Sequence, residues 1–523
     1  MWTRIKTYVH KENTLIGAAG ILVVTMALSN ILGLLRDHYL ARNIATANLD
    51  IYYAAFRIPD LIFNVLIFGA ISAAFIPVFS AHLAKDEKKI GFELANNLIS
   101  IGAAILVVLA IILYFLMPTL MHLIVPDFTA DRMTKTVELS RILLLTPIFF
   151  SVSYFLGGIL NSFKRFVAYS FAPIVYNLSI IIAAIFFANR FGIVAVAWFV
   201  ALGAFLHMLV QIPTAINLGW RYKLSFAWRD AGVQKVFKLM IPRAIGMGAN
   251  NISLVVYTAI ASALATGSIA VFNLANNIQT MPTVVFATSF STAVFPILAQ
   301  HSATENHESF SSYLTRSMRV IIYLLAPSTI IFILLRAQII RLILGSGKFS
   351  WQDTRMAALT LGWFSIPLFA KAFYAKHDTK TPTVISVISI AVSIAIAYPL
   401  AKSMGVAGLA LAFSIGSFLN AIILYLFLFR ISTNLFNLEI LMSALKVLVA
   451  SFFMALALRF VEHHVTNIFN MARFFGVLEQ VLIASTAGII VYIILTYLFR
   501  SPELIWAIRR KVNGVHSKEK AVG

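Results

Sequence analysis

The sequence predicts an all-α polytopic membrane protein with fourteen transmembrane helices, arranged as two six-helix pseudo-symmetric lobes plus two C-terminal helices. Three observations carry that expectation. Of 523 residues, 60% are hydrophobic and only 12% charged, against roughly 25% charged in a soluble globular chain. Apolar segments of about 20 residues recur along the whole length, each long enough to cross a hydrocarbon core of about 30 Å as a helix. Helices are required because lipid offers no partner to an unpaired backbone group. Finally, segments of the first half of the chain recur in the second.

Taken in order, the first apolar run covers 15–35; it is too long for a signal-peptide core and lacks an A-x-A-type exit, so a retained span is expected. Span 2, 51–79, opens with DIYYAAFRIPDLIFN from Asp50, whose charges are unusual for a segment otherwise suited to lipid. Spans 3 to 6 follow as apolar runs at 92–117, 140–160, 168–189 and 193–216, completing an N-terminal lobe over 1–217. A basic linker, 218–236, leads to spans 7 to 12 at 237–263, 270–299, 317–335, 356–375, 383–401 and 405–429, a C-terminal lobe over 237–430. Spans 13 and 14, at 438–461 and 476–499, stand outside the repeat within 431–500, and a basic tail occupies 501–523.

The formal net charge of +21 is distributed between apolar spans rather than gathered in one basic domain. The excess of Lys and Arg on inner loops therefore explains it better than nucleic acid does. Placing Lys85, Lys88 and Lys89, Lys164 and Arg165, the run Arg221 to Arg243, and Arg509 to Lys511 inside sets both termini in the cytoplasm. That orientation agrees with an even number of spans.

Two pairs of segments define the repeat. FGIVAVAWFVALGAFLH from Phe191 matches MGVAGLALAFSIGSFLN from Met404, pairing Gly192 with Gly405 and Gly203 with Gly416. SAAFIPVFSAHLA from Ser72 matches STAVFPILAQHSA from Ser291, pairing Pro77 with Pro296 and His82 with His301. Span 2 thus corresponds to span 8 and span 6 to span 12. Two parallel six-span repeats are a transporter architecture with its substrate site between the halves.

An ionisable side chain at a helix centre costs roughly 2.5–3.5 kcal/mol on insertion scales, so those present usually face water, a partner or a substrate path. On span 2, Asp50, Arg57, Asp60 and Asn64 fall within about 80° of one another at 100° per residue. Pro59 among them frees a backbone carbonyl. Span 1 adds Thr25, Ser29 and Arg36 on one face with Asp37 beside it; span 8 carries Asn273, Asn276, Asn277 and Thr280 at i, i+3, i+4 and i+7; span 7 carries Asn250 and Asn251. A polar lumen is one reading. Interfacial anchoring of Arg36, Asp37, Arg42 and Asp50, a self-neutralising Arg57–Asp60 pair, and interhelical hydrogen bonding by the asparagines are the alternatives. Lys446 lacks such a stripe and reads as a snorkelling residue.

No reaction chemistry is legible. GSGK from Gly345 lacks the first glycine of a phosphate loop, which Leu342 replaces. His463 and His464 have no carboxylate or third ligand at metal-binding spacing and read as a solvated loop. There is no cysteine, G-x-S-x-G or H-E-x-x-H. No catalytic or metal residues and no cofactor are expected, so energy for transport would come from the membrane potential or a monovalent cation.

The runs SNILGLLRDHYLARNI, LDIYYAAFRIPDLIFNVLIFGAISAAFIPVF and GSGKFSWQDTRMAALTLGWFSIPLFAKAFYAKHDTKTP resemble the MurJ/MviN family of lipid II flippases over about residues 12–500. The resemblance implies a central cavity opening inward and outward, a groove from spans 13 and 14 for a polyprenyl tail, and export of an undecaprenyl-pyrophosphate-linked peptidoglycan precursor across the bacterial cytoplasmic membrane. It also implies Arg36, Asp37, Asp50 and Arg57 as cavity charges, with Ala41 and Asp60 beside them. Asn273, Asn276 and Asn277 would then bond sugar or peptide groups. The chain departs from the family pattern at Asn30, Phe63, Phe68, Asn276 and Asn277, where charged residues are usual. These departures motivate two alternatives: a transport-deficient scaffold for cell-wall synthesis enzymes, and an exporter of another lipid-linked oligosaccharide.

Overall fold

The structure is a computed structural model that describes residues 15–68, 74–288, 307–368, 380–431 and 438–504. Pro296 and His301 of the repeat, most of the FYAKHDTKTP segment, and the tail from Arg509 lie outside the described residues. Among the described residues, eight helical stretches are long and apolar enough to span a membrane, from Lys88–Ile124 to Phe474–Leu498. Their apolar side chains point outward, as with Val108, Phe115, Leu448 and Leu498. In water that surface would be unstable; in a bilayer it is the lipid contact. The chain is a multi-pass membrane protein.

The first helix, α1 (Leu15–Asn43), is longer than its apolar run and carries Arg36 and Asp37 inside the helix rather than at its end. Span 2 is not continuous. Helix α2 (Thr46–Ala55) stops, Phe56 makes a turn, α3 (Arg57–Ile62) begins and a π-helical turn, Phe63–Phe68, follows before α4 (Ile76–Ala84). Pro59 explains the break: it has no N–H for the carbonyl of Ala55, four residues back, and its ring crowds that carbonyl. The helix restarts with Asp60 N–H donating to Phe56 O at 2.8 Å.

Next come α5 (Lys88–Ile124), α6 (Ala130–Leu143), α7 (Leu145–Ser162), α8 (Phe166–Ile182), α9 (Ala188–Leu209) and α10 (Ile212–Asn217). After them, α11 (Ala231–Ser262) and α12 (Ser268–Pro282) carry spans 7 and 8. The second half continues as α13 (His307–Leu334), α14 (Arg336–Ile343), α15 (Trp351–Ser365), α16 (Lys380–Met404), α17 (Val406–Ile431), α18 (Leu438–Thr466) and α19 (Phe474–Leu498).

Two compact units emerge from the packing: one holds Met1–Asn273 with Leu344–Asp353 and Ile394–Leu409, the other Leu274–Ile343, Thr354–Ser393 and Ala410–Gly523. In the first, α1 packs on α8, α8 on α9, α9 on α7 and α7 on α5. Helix α11 joins this unit, lying against α3, α5 and the π-turn, although the sequence assigns it to the second set of six spans. In the second, α18 pairs with α19 and also packs on α13. His463 and His464, expected in a loop, occupy the last turn of α18; the helix simply outruns its apolar stretch, and both rings remain exposed.

The repeat is visible in local geometry. Gly192 and its counterpart Gly405 both have positive φ, 68° and 63°, at the bends leading into spans 6 and 12. Such a backbone favours glycine. Beyond each bend the same small-residue packing recurs: Ser179 Oγ donates to Phe199 O at 2.7 Å, and Ser393 Oγ to Ala412 O at 2.6 Å. Gly203 and Gly416 permit the close approach, since a Cβ on Gly203 would lie 3.1 Å from Ser179 Cβ and one on Gly416 would lie 2.6 Å from Ser393 Cβ. Span 8 also repeats the π-turn of span 2: pairing Pro77 with Pro296 brings Phe63 onto Pro282, beside the π-turn Thr283–Thr288.

Candidate functional site

The unusual charges of spans 1 and 2 sit inside the first unit. Asp50, in the middle of α2, is buried and accepts the backbone N–H groups of Gly267 at 2.7 Å and Ala270 at 2.8 Å. These belong to the first turn of α12 and the residue before it. A carboxylate there satisfies donors that have no intrahelical partner and lies at the positive end of the helix dipole. Arg132 of α6 pairs with the same carboxylate at 2.9 Å while lying over the Phe128 ring.

Immediately past the break, Arg57 is also buried. Its Nε donates to Thr258 Oγ1 at 2.6 Å on α11, and its Nη2 to Asn273 Oδ1 at 2.7 Å on α12. Asn273 is oriented for this, because its Nδ2 donates to Ile269 O and leaves Oδ1 toward the guanidinium. The forked guanidinium can reach both helices at once, which a lysine cannot. Asn64, in the π-turn, adds a third tie by donating to Asn251 Oδ1 of α11 at 3.2 Å and to Asp60 O at 2.8 Å.

Among the described residues Arg57 and Asp60 make no direct ion pair, and the Arg57 donors are directed across to α11 and α12, although the two charges still act on each other. Asp60 is half-buried. Span 1 supplies a separate cluster. Arg36 donates twice to Asp37 Oδ1, at 2.9 and 3.0 Å, and once to Asn177 Oδ1 of α8 at 3.1 Å. Asp37 is 1% exposed, and Ala41 one turn further along the helix is fully buried. Arg36 keeps 22% of its side chain open. Asn276 and Asn277 lie one turn beyond Asn273 on α12, half-buried, and Asn276 accepts from Gln279 at 3.1 Å. The two arginines are thus held by different partners.

A family model described as lipid II flippase MurJ matches residues 44–479. The chain belongs to the MurJ family. Among curated relatives, the lipid II flippase MurJ of Burkholderia cenocepacia is 30% identical over 422 residues, covering 76% of this chain and 81% of that protein. The probable lipid II flippase MurJ of Haemophilus influenzae is 30% identical over 456 residues, covering 82% and 89%. A solved structure of lipid II flippase MurJ in an inward closed conformation aligns with a TM-score of 0.76 at 24% identity, covering 91% of this chain and 98% of that one. An inward-facing multidrug resistance MATE transporter of the MOP superfamily aligns at 0.62 and 13% identity, covering 78% and 96%.

Several polar partners of this MurJ-family site were not singled out from sequence: Arg132, Asn177, Thr258 and Asp353. Arg132 was in an outer loop by hydropathy, and Thr258 reads as an ordinary helical threonine bonding Leu254 O, which it also does. Asp353 closes the turn Ser350–Asp353 by accepting from Ser350 N at 2.9 Å and from Thr46 Oγ1 at 3.4 Å. The GSGK segment is structural: Lys348 N donates to Arg42 O at 2.9 Å, and Gly347, at φ 65°, lies so close that a Cβ would meet Arg42 O at 2.2 Å.

Proposed function

We propose that this chain flips lipid II, a polyprenyl-pyrophosphate-linked peptidoglycan precursor, from the inner to the outer leaflet by alternating access. The single observation that carries the reading is the set of polar ties from span 2 to spans 7 and 8: Asp50 on the start of α12, Arg57 on Thr258 and Asn273, and Asn64 on Asn251. A tie serving only stability is more cheaply built from apolar packing, since buried ions lose hydration that their pairing only partly restores. Ties made of hydrogen bonds, by contrast, can exchange protein partners for water or a substrate's polar head and reform at modest net cost. The relatives named lipid II flippases supply the cargo.

A sugar–pyrophosphate head cannot cross hydrocarbon unaided, because its charge would lose its hydration. A polar path inside the protein lets the head cross while the tail stays in lipid. Arg36, already 22% open and oriented by Asp37, offers charge-assisted hydrogen bonds to phosphate oxygens. Arg57 and Asp50 join it when the ties open, with Asp60, Asn273, Asn276 and Asn277 bonding the remaining polar groups and Ala41 leaving room beside Arg36. Each elementary charge moved through 100 mV is worth about 2.3 kcal/mol, so the membrane potential, or a monovalent cation taken by Asp60, biases the cycle. Both termini lie in the cytoplasm, and the basic tail suits docking of cell-wall synthesis enzymes or anionic lipid.

The test uses bacteria in which this chain is the sole lipid II flippase. Arg36→Ala, at normal protein levels, lowers the fraction of precursor open to a membrane-impermeant hydrolase on the outer face. Undiminished exposure would remove the head-group role of Arg36; undiminished exposure after depletion of the whole chain would remove the function.

A further inference from the structure

The connection between α10 and α11, Leu218–Asp230, is a strap laid along the start of α5. Trp220 is buried and donates its indole N–H to Asn96 Oδ1 at 2.9 Å, while Asn96 Nδ2 donates to Arg221 O at 2.9 Å. The Tyr222 hydroxyl meets Ser100 Oγ at 3.1 Å, Ser225 N donates to that same oxygen at 3.3 Å, and Ala227 N donates to Asn97 Oδ1 at 3.3 Å. Asp230 ends the strap by accepting from Val233 N at 2.9 Å as the cap of α11. Three polar residues on α5 are therefore buried in order to fix a loop.

What the fixed loop presents outward is an alternation. Tyr222, Leu224, Phe226 and Trp228 are each at least half exposed. Between and beside them stand Arg221, Lys223 and Arg229, all exposed, with Lys235 and Lys238 following on α11. None of the five cations makes an ion pair among the described residues. Helix α5, with 37 residues, is about 55 Å long and exceeds the hydrocarbon thickness by a wide margin. Its charged start, with Lys88, Lys89 and Glu93, lies outside the core, so the strap at Asn96 to Ser100 sits where the helix enters lipid. Aromatic rings interleaved with cations suit that depth.

Beside the strap is a small, open, apolar cleft lined by Leu66, Leu98, Ile105, Phe155, Phe237 and Met240 among others. The strap forms part of its surroundings, since the Trp228 ring stacks on Phe237 at 5.5 Å. We propose that strap and cleft together hold one anionic phospholipid of the leaflet the basic loops face, its phosphate on Arg221, Lys223 and Arg229 and an acyl chain in the cleft. The unpaired positive charge selects the head group and the apolar lining takes the chain. This site uses none of the side chains that tie span 2 to spans 7 and 8, and it does not depend on the transported cargo.

The experiment is native mass spectrometry of the purified full-length chain with equimolar phosphatidylglycerol and phosphatidylcholine. The wild type retains phosphatidylglycerol at least about fivefold over phosphatidylcholine, one cation's worth of attraction. In the triple variant Arg221→Gln, Lys223→Gln, Arg229→Gln, with unchanged melting temperature, that ratio falls to near one. Met240→Trp, which fills the cleft and keeps the charge, lowers phosphatidylglycerol retention severalfold. Raising ionic strength before transfer reduces the wild-type ratio without any substitution. A preference that survives both salt and the triple variant would overturn the proposal. So would displacement of the phospholipid by equimolar polyprenyl pyrophosphate, which would assign the site to the substrate's carrier.

Discussion

Replacing Asp50 by Asn gives the sharpest view of how the ties work. Asp50 accepts two backbone N–H groups of the α12 start and one Arg132 N–H, all between 2.7 and 2.9 Å. Asparagine keeps one acceptor oxygen and turns an NH2 donor on the remaining N–H, while Arg132 loses its counter-charge. Charge-assisted hydrogen bonds contribute about 1.5–3 kcal/mol each, and removing one partner of a buried pair costs about 3–5 kcal/mol. Allowing for relaxation, the state with α2 docked on α12 loses about 2–4 kcal/mol relative to the undocked one, a shift of roughly 30- to 1,000-fold. The chain has no cysteine, so Ser268→Cys, at a buried position in the first turn of α12, is a clean reporter. Its alkylation by a water-soluble maleimide in nanodiscs measures how often the contact opens. Asp50→Asn raises the labelling rate by at least tenfold with little change in melting temperature. An unchanged rate would refute the assignment of Asp50 as a tie between spans 2 and 8.

Arg57→Lys keeps charge but cannot bridge Thr258 and Asn273 together; outer-face exposure of the precursor falls about tenfold in cells relying on this chain, and recovery to wild-type levels would show that charge alone suffices. Gly416→Ala forces a Cβ to 2.6 Å from Ser393 Cβ and costs about 1–3 kcal/mol in thermal stability, more than Gly203→Ala, where the nearest atom is 3.0 Å away. Glu503, just beyond α19, is pushed up by burial but drawn further down by hydrogen bonds from Ser501, Ser443 and Arg319, and its carboxyl ends below the ordinary range. A depressed folded-state value means its contribution is complete above the ordinary carboxylate pKa and is lost as pH falls through the lower one. Melting temperature therefore declines less steeply in acid, below about pH 4, for Glu503→Gln than for the wild type; parallel declines would contradict the pairing.

Much of the fold is written in local pattern. Apolar length places helices, and Gly192 and Gly405 mark the same bend twice because only a residue without Cβ takes that φ cheaply. The stripe Asp50, Arg57, Asp60 and Asn64 was legible as a polar face, and Pro59 as a disturbance one turn upstream. What the stripe touches was not legible. Thr258 and Arg132 carry no signal of their own, since a partner about 200 residues or about 80 residues away is chosen by helix packing rather than by local sequence. The placement of α11 beside α3 and α5 was hidden for the same reason: its repeat position says which span it is, not which neighbours it buries. Asn96, Asn97 and Ser100 did leave a signal, three polar residues on one turn of a lipid-length helix, and only the strap explains them.

The most direct measurement concerns whether spans 2 and 7 must part in each transport cycle. Asn64→Cys and Asn251→Cys place two thiols where the side chains now meet, 3.2 Å apart, in a chain with no other cysteine. The protein is reconstituted in proteoliposomes with head-group-labelled lipid II and treated with a short, reductively cleavable bis-methanethiosulfonate. Cross-linking stops translocation, reductant restores it, and each single-cysteine protein is unaffected. Translocation at the uncross-linked rate by fully cross-linked protein would contradict the account.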